Sequence, residues 1–149
     1  MSSLNGAWFT SAAATNTKPL PLVLRHRCRS FLAALRRRVA KFAARDAEEF
    51  MELLVTEYPP GAPIGWHRGA PGFDIIVGVP LLSECTMQFR QWPVEKAATN
   101  RVKPLKQILE PRSSYILRGR SRARWQHRTP PVKQRSLSIT FRTLRTRLV

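Results

Sequence analysis

The chain has 149 residues, enough for one domain with its own hydrophobic core. Its 26 Lys and Arg against 9 Asp and Glu give a formal net charge of +17, which favours a polyanionic partner such as nucleic acid. A hydrophobic content of 43% excludes general disorder, and no apolar run reaches the roughly 18 residues of a transmembrane helix. Two cysteines, Cys28 and Cys85, are too few for a disulfide framework and indicate a reducing, intracellular compartment.

The N-terminal third predicts a leader followed by one helix. Residues 1–20 show no periodicity and are expected to be a mobile leader, so that the domain covers residues 21–149. The first acidic residue is Asp46, and such an acid-poor start is also typical of a mitochondrial transit peptide. Ser30 is placed to cap a helix that runs to about Arg45. Its apolar residues recur at three- and four-residue steps: Phe31, Leu35, Val39 and Phe42.

From Glu52 onward the pattern is that of β-strands. Strands are predicted at residues 53–58, 73–82, 85–90, 105–109, 114–117, 124–128 and 137–144. The short link at 82–84 indicates a hairpin, and residues 93–104 are predicted to form a polar loop. Many short strands with one N-terminal helix predict a mainly β fold. We expect a double-stranded β-helix, or jelly roll, with the helix packed on it.

The segment at residues 56–69, Thr-Glu-Tyr-Pro-Pro-Gly-Ala-Pro-Ile-Gly-Trp-His-Arg-Gly, is the most informative part of the chain. It predicts an edge strand, a Pro-Gly turn and a return strand that carries His67 into a pocket. Far downstream lie His127 and the strand Ser-Ile-Thr-Phe-Arg at residues 138–142. Iron(II) that must also bind a cosubstrate and oxygen is commonly held by two histidines and one carboxylate on one face of an octahedron.

These segments, in this order, resemble the core of the AlkB-like iron(II)/2-oxoglutarate dioxygenases over roughly residues 19–147. In that family the return strand carries His-x-Asp, and both residues bind iron together with a distal histidine. The resemblance therefore implies iron(II) and 2-oxoglutarate as cofactors, with His67 and His127 as iron ligands. It also implies an N-terminally shortened domain that lacks much of the family's nucleotide-recognition lid.

The family's aspartate position is Gly69 in this chain. A carboxylate belongs there because residues i and i+2 of a strand point to the same side. Three interpretations stay open. Metal binding is weakened and the protein is degenerate, which we favour; or Asp74 substitutes through a folded-back loop; or a halide takes the vacant coordination position.

The resemblance also implies the residues that hold the cosubstrate. Tyr58 would hydrogen-bond 2-oxoglutarate, and Arg142 would pair with one of its carboxylates through a planar guanidinium fork. The family has another arginine six residues before the last, where this chain has Ser136. Arg135 lies one place early, so a β-bulge near Ser136 would be needed to bring it into the pocket.

The function implied by the resemblance is oxidative dealkylation, with alkylated nucleic-acid bases as the expected substrate. The alternative is a catalytically inactive, basic nucleic-acid-binding module on the same fold. If residues 118–124 are extended, their alternation places four arginines on one face for contacts with phosphates: Arg118, Arg120, Arg122 and Arg124. We expect a monomer in the cytoplasm, with the mitochondrion or nucleus as the alternative compartment.

Overall fold

The computed structural model describes residues 8–10, 22–27, 32–93 and 103–145. Ten strands form two antiparallel sheets: β1 Trp8–Thr10, β2 Leu22–Arg27, β3 Phe50–Tyr58, β4 Ile64–His67, β5 Phe73–Leu81, β6 Cys85–Gln91, β7 Leu105–Leu109, β8 Tyr115–Leu117, β9 Trp125–Thr129 and β10 Ser136–Leu144. Helix α1 spans Ala33–Ala43, a 3-10 turn spans Ala47–Glu49, and a short helix α2 spans Arg120–Ala123. No helix in these ranges is long and apolar enough to cross a membrane.

The strands are arranged as two facing sheets. The large sheet has six strands in the order β1-β2-β3-β10-β5-β8, and the small sheet has four in the order β4-β9-β6-β7. Consecutive strands alternate between the sheets over much of the chain, which is the pattern of a jelly roll. The predicted mainly β fold with an N-terminal helix is therefore confirmed.

The two faces of the large sheet have different chemistry because side chains alternate along each strand. One face packs against α1 through a buried cluster that includes Val39, Phe50, Val77 and Phe141. The opposite face, here called the inner face, turns toward the small sheet, where Phe89 of β6 packs on the buried cluster of Phe73, Ile76 and Leu117. Strand β10 places Ser136, Ser138, Thr140 and Arg142 on this inner face. The inner face of the large sheet is thus polar along β10 and apolar around Phe73, Ile76 and Leu117.

Helix α1 begins later than the sequence indicated. Its N-cap is Leu32, whose side chain has no polar group to cap the helix, and its end is marked by Ala44 in the left-handed region at φ 53°. The buried stripe consists of Val39, Ala40 and Ala43. The expected core residue Phe42 is instead 53% exposed, because it lies outside the helical stripe formed by those three residues.

The structure describes only part of the predicted leader and of the predicted polar loop. Trp8–Thr10 pairs with β2, which differs from the expectation of a leader without regular structure at those three residues. The rest of the expected leader lies outside the described residues, as does most of the predicted polar loop, at residues 94–102. Residues 118–124 would present four arginines on one face only if they were extended, and they contain the helix α2 instead.

Strand β10 contains an irregularity that supports a prediction about stability. Its register with β5 shifts between Arg142 and Leu144, and there the hydroxyl of Thr143 accepts the backbone N–H of Ile75 at 3.0 Å. Thr143→Val keeps the shape but leaves a buried donor without its acceptor. We expect the free energy of unfolding to fall by about 1–3 kcal/mol in urea denaturation.

The control for this change is Thr86→Val, the same chemical substitution on the half-buried strand β6. It is expected to change stability by less than about 0.5 kcal/mol. Equal losses in the two variants would show that the Ile75–Thr143 bond does not contribute as described.

Candidate metal and cosubstrate site

The two predicted iron ligands lie side by side in the small sheet. His67 of β4 is the direct cross-strand partner of His127 of β9. Their ring centroids are 4.2 Å apart, and the ring planes are inclined by 56°. Nδ1 of His67 donates to the carbonyl oxygen of Gly65 at 2.8 Å, which leaves the lone pair on Nε2. The structure thus brings together two histidines that are sixty residues apart in the sequence.

His127 is held as a neutral imidazole. Its side chain is on the inner side of β9, next to Phe89, and the residue is only 8% exposed. Burial, followed by the neighbouring His67 and Arg122, lowers the pKa of His127 to about 3. Its Nδ1 has no hydrogen-bond partner within the described part of the chain. Neutral imidazoles are the form of histidine that binds metals.

The position of the missing carboxylate is filled by an arginine. Gly69 has a positive φ of 74°, and a Cβ added to it would collide with Nη1 of Arg122. The guanidinium of Arg122, which is 7% exposed, binds three backbone carbonyls of the segment after β4. Nη1 donates to Arg68, while Nη2 donates to Ala70 at 2.8 Å and to Phe73 at 2.9 Å. A cation therefore lies where the aspartate of the AlkB-like His-x-Asp motif would supply an anionic ligand.

This arrangement decides how well iron fits. The two imidazoles match two of the three protein ligands of the facial triad. Among the described residues no third His, Cys, Asp or Glu joins them, so the interpretation that Asp74 completes the site is wrong. Burial lowers the pKa of Arg122, and the charges of Arg145 and Arg142 lower it further. The negative charge of Asp74 raises this pKa and offsets part of the effect. The residues present do not fit an iron ion held by a complete triad. The halide interpretation stays a prediction.

A second group of polar residues, Tyr58, Tyr115 and Arg142, lies together on the inner face of the large sheet. Burial, then the neighbouring Tyr115 and Cys85, raises the pKa of Tyr58 far above its usual range. Burial also raises the pKa of Tyr115 to about 12. Both phenols are therefore protonated donors at neutral pH. Tyr115 packs so closely on Gly78 of β5 that any Cβ there would collide with its ring, so a glycine is required at this position.

Arg142 lies near these two phenols, and its assignment to the cosubstrate stays a prediction. It contributes to the electrostatic environment of both phenols, and its guanidinium carbon is 5.0 Å from the centroid of the Phe73 ring. Its Nη1 is 3.0 Å from Oε1 of Glu52 on β3. Two phenols and a guanidinium suit a carboxylate-bearing ligand such as 2-oxoglutarate. Glu52, which the sequence did not single out, competes with such a ligand for Arg142.

Arg135 does not reach this group of residues. Its side chain is 62% exposed, and its Nε donates to Oε1 of Glu57 at 2.6 Å. Ser136, its neighbour, occupies the inner face and is buried opposite Tyr58. The bulge needed to turn Arg135 inward is absent at this point, because the register of β10 with β3 shifts only between Arg142 and Thr143. The assignment of Arg135 to the cosubstrate is therefore wrong.

The predicted phosphate-binding arginines do not form one row. Because residues 120–123 are helical, their side chains point in different directions rather than to one face of a strand. Arg118, Arg120 and Arg124 are exposed and stay candidates for phosphate contacts. Arg122 is buried against backbone carbonyls, so its assignment as a nucleic-acid contact is wrong. Sequence offers no signal for its actual role, since the three carbonyls belong to a distant loop.

A cavity of about 860 Å³ adjoins the site. It opens between the edge strands β7 and β8 of the two sheets, and its wall includes Phe89, Leu105, Tyr115 and Leu117. Phe89 is also a neighbour of His127, since the centroids of those two rings are 6.2 Å apart. The cavity is therefore lined by Tyr115 and by a neighbour of His127, and neither histidine is part of its wall.

The jelly roll places two histidines on adjacent strands of its small sheet, which supplies two of the three protein ligands of a facial-triad metal site. A family model described as the 2OG-Fe(II) oxygenase superfamily matches residues 7–148. The chain belongs to that superfamily, whose cofactors are iron(II) and 2-oxoglutarate. No curated protein matches the chain.

Solved structures share the fold at low sequence identity. OsALKBH1 superposes with a TM-score of 0.54 and 16% identity, over 91% of this chain and 83% of that one. YcfD, a ribosomal oxygenase from Escherichia coli, gives a TM-score of 0.60 and 13% identity, over 86% of this chain and 32% of its own. Drosophila melanogaster CENP-C bound to CAL1 gives 0.51 and 10%, over 96% of this chain and 85% of that one. These similarities show the fold alone.

The contacts of Arg122 lead to a prediction. Arg122→Gln removes the charge and most of the bonds to the carbonyls of the segment after β4. Because a hydrogen bond to a charged group contributes about 1.5–3 kcal/mol, the free energy of unfolding should fall by at least about 2 kcal/mol. Urea denaturation measures the loss, and hydrogen exchange should show faster exchange at residues 68–73.

Arg120→Gln is the matched control, since Arg120 is exposed on the same short helix. It should change stability by less than about 0.5 kcal/mol. If Arg122→Gln exchanged at residues 68–73 no faster than this control, the guanidinium would not be what holds the segment.

Proposed function

We propose that this protein is an AlkB-like member of the superfamily that binds nucleic acid, and that binding rather than oxidative turnover is its principal activity. The observation that carries the proposal is the guanidinium of Arg122 at the side of Gly69, where a ligand carboxylate would be required. An iron ion at the two histidines would lack one anionic ligand and would lie near a buried cation. Both effects weaken the binding of a divalent metal.

The overall charge supports a nucleic-acid partner. A formal net charge of +17 attracts polyanions, and phosphate contacts supply most of the affinity in sequence-independent binding. The jelly roll by itself does not imply oxidation. A similar fold is bound to a protein, CAL1, in the Drosophila CENP-C structure.

A second candidate function is oxidative dealkylation of N-alkylated nucleic-acid bases, the reaction that the AlkB-like resemblance implies. It is favoured by the close approach of His67 and His127 and by the group of Tyr58, Tyr115 and Arg142. When bound, iron and 2-oxoglutarate supply the oxidising chemistry, and the protein orients the base and excludes water. A base in a duplex would first be flipped out of the stack, which costs a few kcal/mol and is easier for damaged bases.

The test restores the missing ligand. Gly69→Asp is expected to raise the affinity for iron(II), in the presence of 2-oxoglutarate, by at least about tenfold, since weaker perturbations around a metal already change affinity 10–100-fold. Asp tolerates a positive φ better than most residues, and its Cβ requires the end of the Arg122 side chain to move aside. Anaerobic calorimetric titration measures iron binding, and succinate release measures turnover.

Gly72→Asp is the control, because it adds the same charge three residues away, where an added Cβ meets nothing within 4 Å. It should leave iron affinity unchanged. If the parent chain binds iron(II) as tightly as Gly69→Asp and releases succinate with alkylated oligonucleotides, dealkylation replaces binding as the function. If neither chain retards nucleic acid, both candidate functions fail.

A further inference from the structure

The outward face of the small sheet is positively charged and carries no acid. None of the strands β4, β6, β7 and β9 contains Asp or Glu. Strand alternation places a cation or a tryptophan outward beside each residue that points into the site. Trp66 precedes His67, Arg90 follows Phe89, and Arg128 follows His127.

Two of these outward cations are held by glutamines on the neighbouring strand. Nε of Arg128 donates to Oε1 of Gln88 at 2.7 Å, and Nε of Arg90 donates to Oε1 of Gln126 at 2.7 Å. Both pairs are direct cross-strand partners in the β6–β9 ladder. Each bond uses the Nε–H, so the Nη1 and Nη2 groups supply the remaining donors of both forks.

The same two guanidinium groups lie against one indole. Their central carbons are 4.4 Å (Arg90) and 4.7 Å (Arg128) from the Trp66 ring centroid. A cation stacked on an aromatic ring and fixed at Nε has few rotamers left, so less entropy is lost when it binds an anion. A similar pair lies at the same edge of the sheet, where the guanidinium carbon of Arg68 is 4.8 Å from the Trp92 ring centroid.

We propose that this surface, the arginine–tryptophan face formed by Trp66, Gln88, Arg90, Gln126 and Arg128, binds the phosphate backbone of nucleic acid. The inference rests on the proposed function and locates where the partner binds. Fixed, planar forks suit discrete phosphodiester groups, which accept two parallel N–H bonds. A bilayer surface would favour apolar side chains that insert between lipids. Here Trp66 is half-buried beneath two cations instead.

The test removes both charges without changing side-chain length much. The probe is a short single-stranded oligonucleotide of mixed sequence. The double variant Arg90→Gln with Arg128→Gln should lose two contacts with its phosphates. Each such contact contributes about 0.7 to the slope of log K against log salt, so the slope should flatten by about 1.4. Fluorescence anisotropy over a series of NaCl concentrations measures it, and circular dichroism checks that the fold is kept.

Arg37→Gln with Arg38→Gln is the control, since it removes the same charge from exposed positions on α1, which packs on the far side of the large sheet. Its slope should stay close to that of the parent. If both double variants flatten the slope equally, the charge acts without a defined surface and the inference is overturned. If the parent binds but Arg90→Gln with Arg128→Gln leaves the slope unchanged, the inference fails while the proposed function stands.

Two further outcomes are decisive. Binding of the parent to vesicles of acidic phospholipid, with none to the oligonucleotide, would overturn both the inference and the proposed function. If the variant Arg90→Gln with Arg128→Gln fails to fold, a second variant, Arg90→Lys with Arg128→Lys, takes its place. It keeps both charges but loses the planar guanidinium groups. It should bind more weakly than the parent at a similar slope, and affinity equal to the parent's would overturn the inference.

Discussion

The site of this protein depends on the guanidinium of Arg122. By donating to three carbonyls between Arg68 and Phe73, it sets the course of the backbone that leads from the small sheet back to the large one. That course places Gly69 in a left-handed conformation beside the arginine. In a metal-bound oxygenase, the ion and its carboxylate would supply positive and negative charge at this point. Here a single buried side chain supplies the positive charge and satisfies the polar backbone around it.

The strands of the small sheet contribute residues to two surfaces, the interior with the paired histidines and the outward arginine–tryptophan face. Because neighbouring residues of a strand point to opposite faces, His67, Phe89 and His127 line the interior, and the residues next to them carry the arginine–tryptophan face. A partner that covers this face would lie on the opposite side of the small sheet from the two histidines. The proposed binding surface and the paired histidines thus lie on opposite faces of the same sheet.

Much of the architecture could be predicted from local patterns. The strands from β3 to β10 were anticipated within a few residues, because alternation and turn residues act over short distances. The metal-ligand candidates also came from sequence, since the motif around His67 is specific and few other histidines compete with it. Prediction failed where a residue's role depends on distant backbone. Arg135 looked one position away from the pocket but pairs with Glu57, and Phe42 fits the helical stripe but is exposed.

The sequence by itself determined the class of fold, the superfamily, the two histidines and the absence of aspartate at residue 69, because these follow from residue types at short spacing. Only the tertiary structure decided what replaces that aspartate. Arg122 is fifty-three positions away in the sequence, and nothing in the local pattern of Arg118 to Arg124 distinguishes it from its neighbours. A single turn of helix directs this one guanidinium inward, where desolvation makes its bonds to carbonyls strong, and leaves Arg118, Arg120 and Arg124 exposed to water.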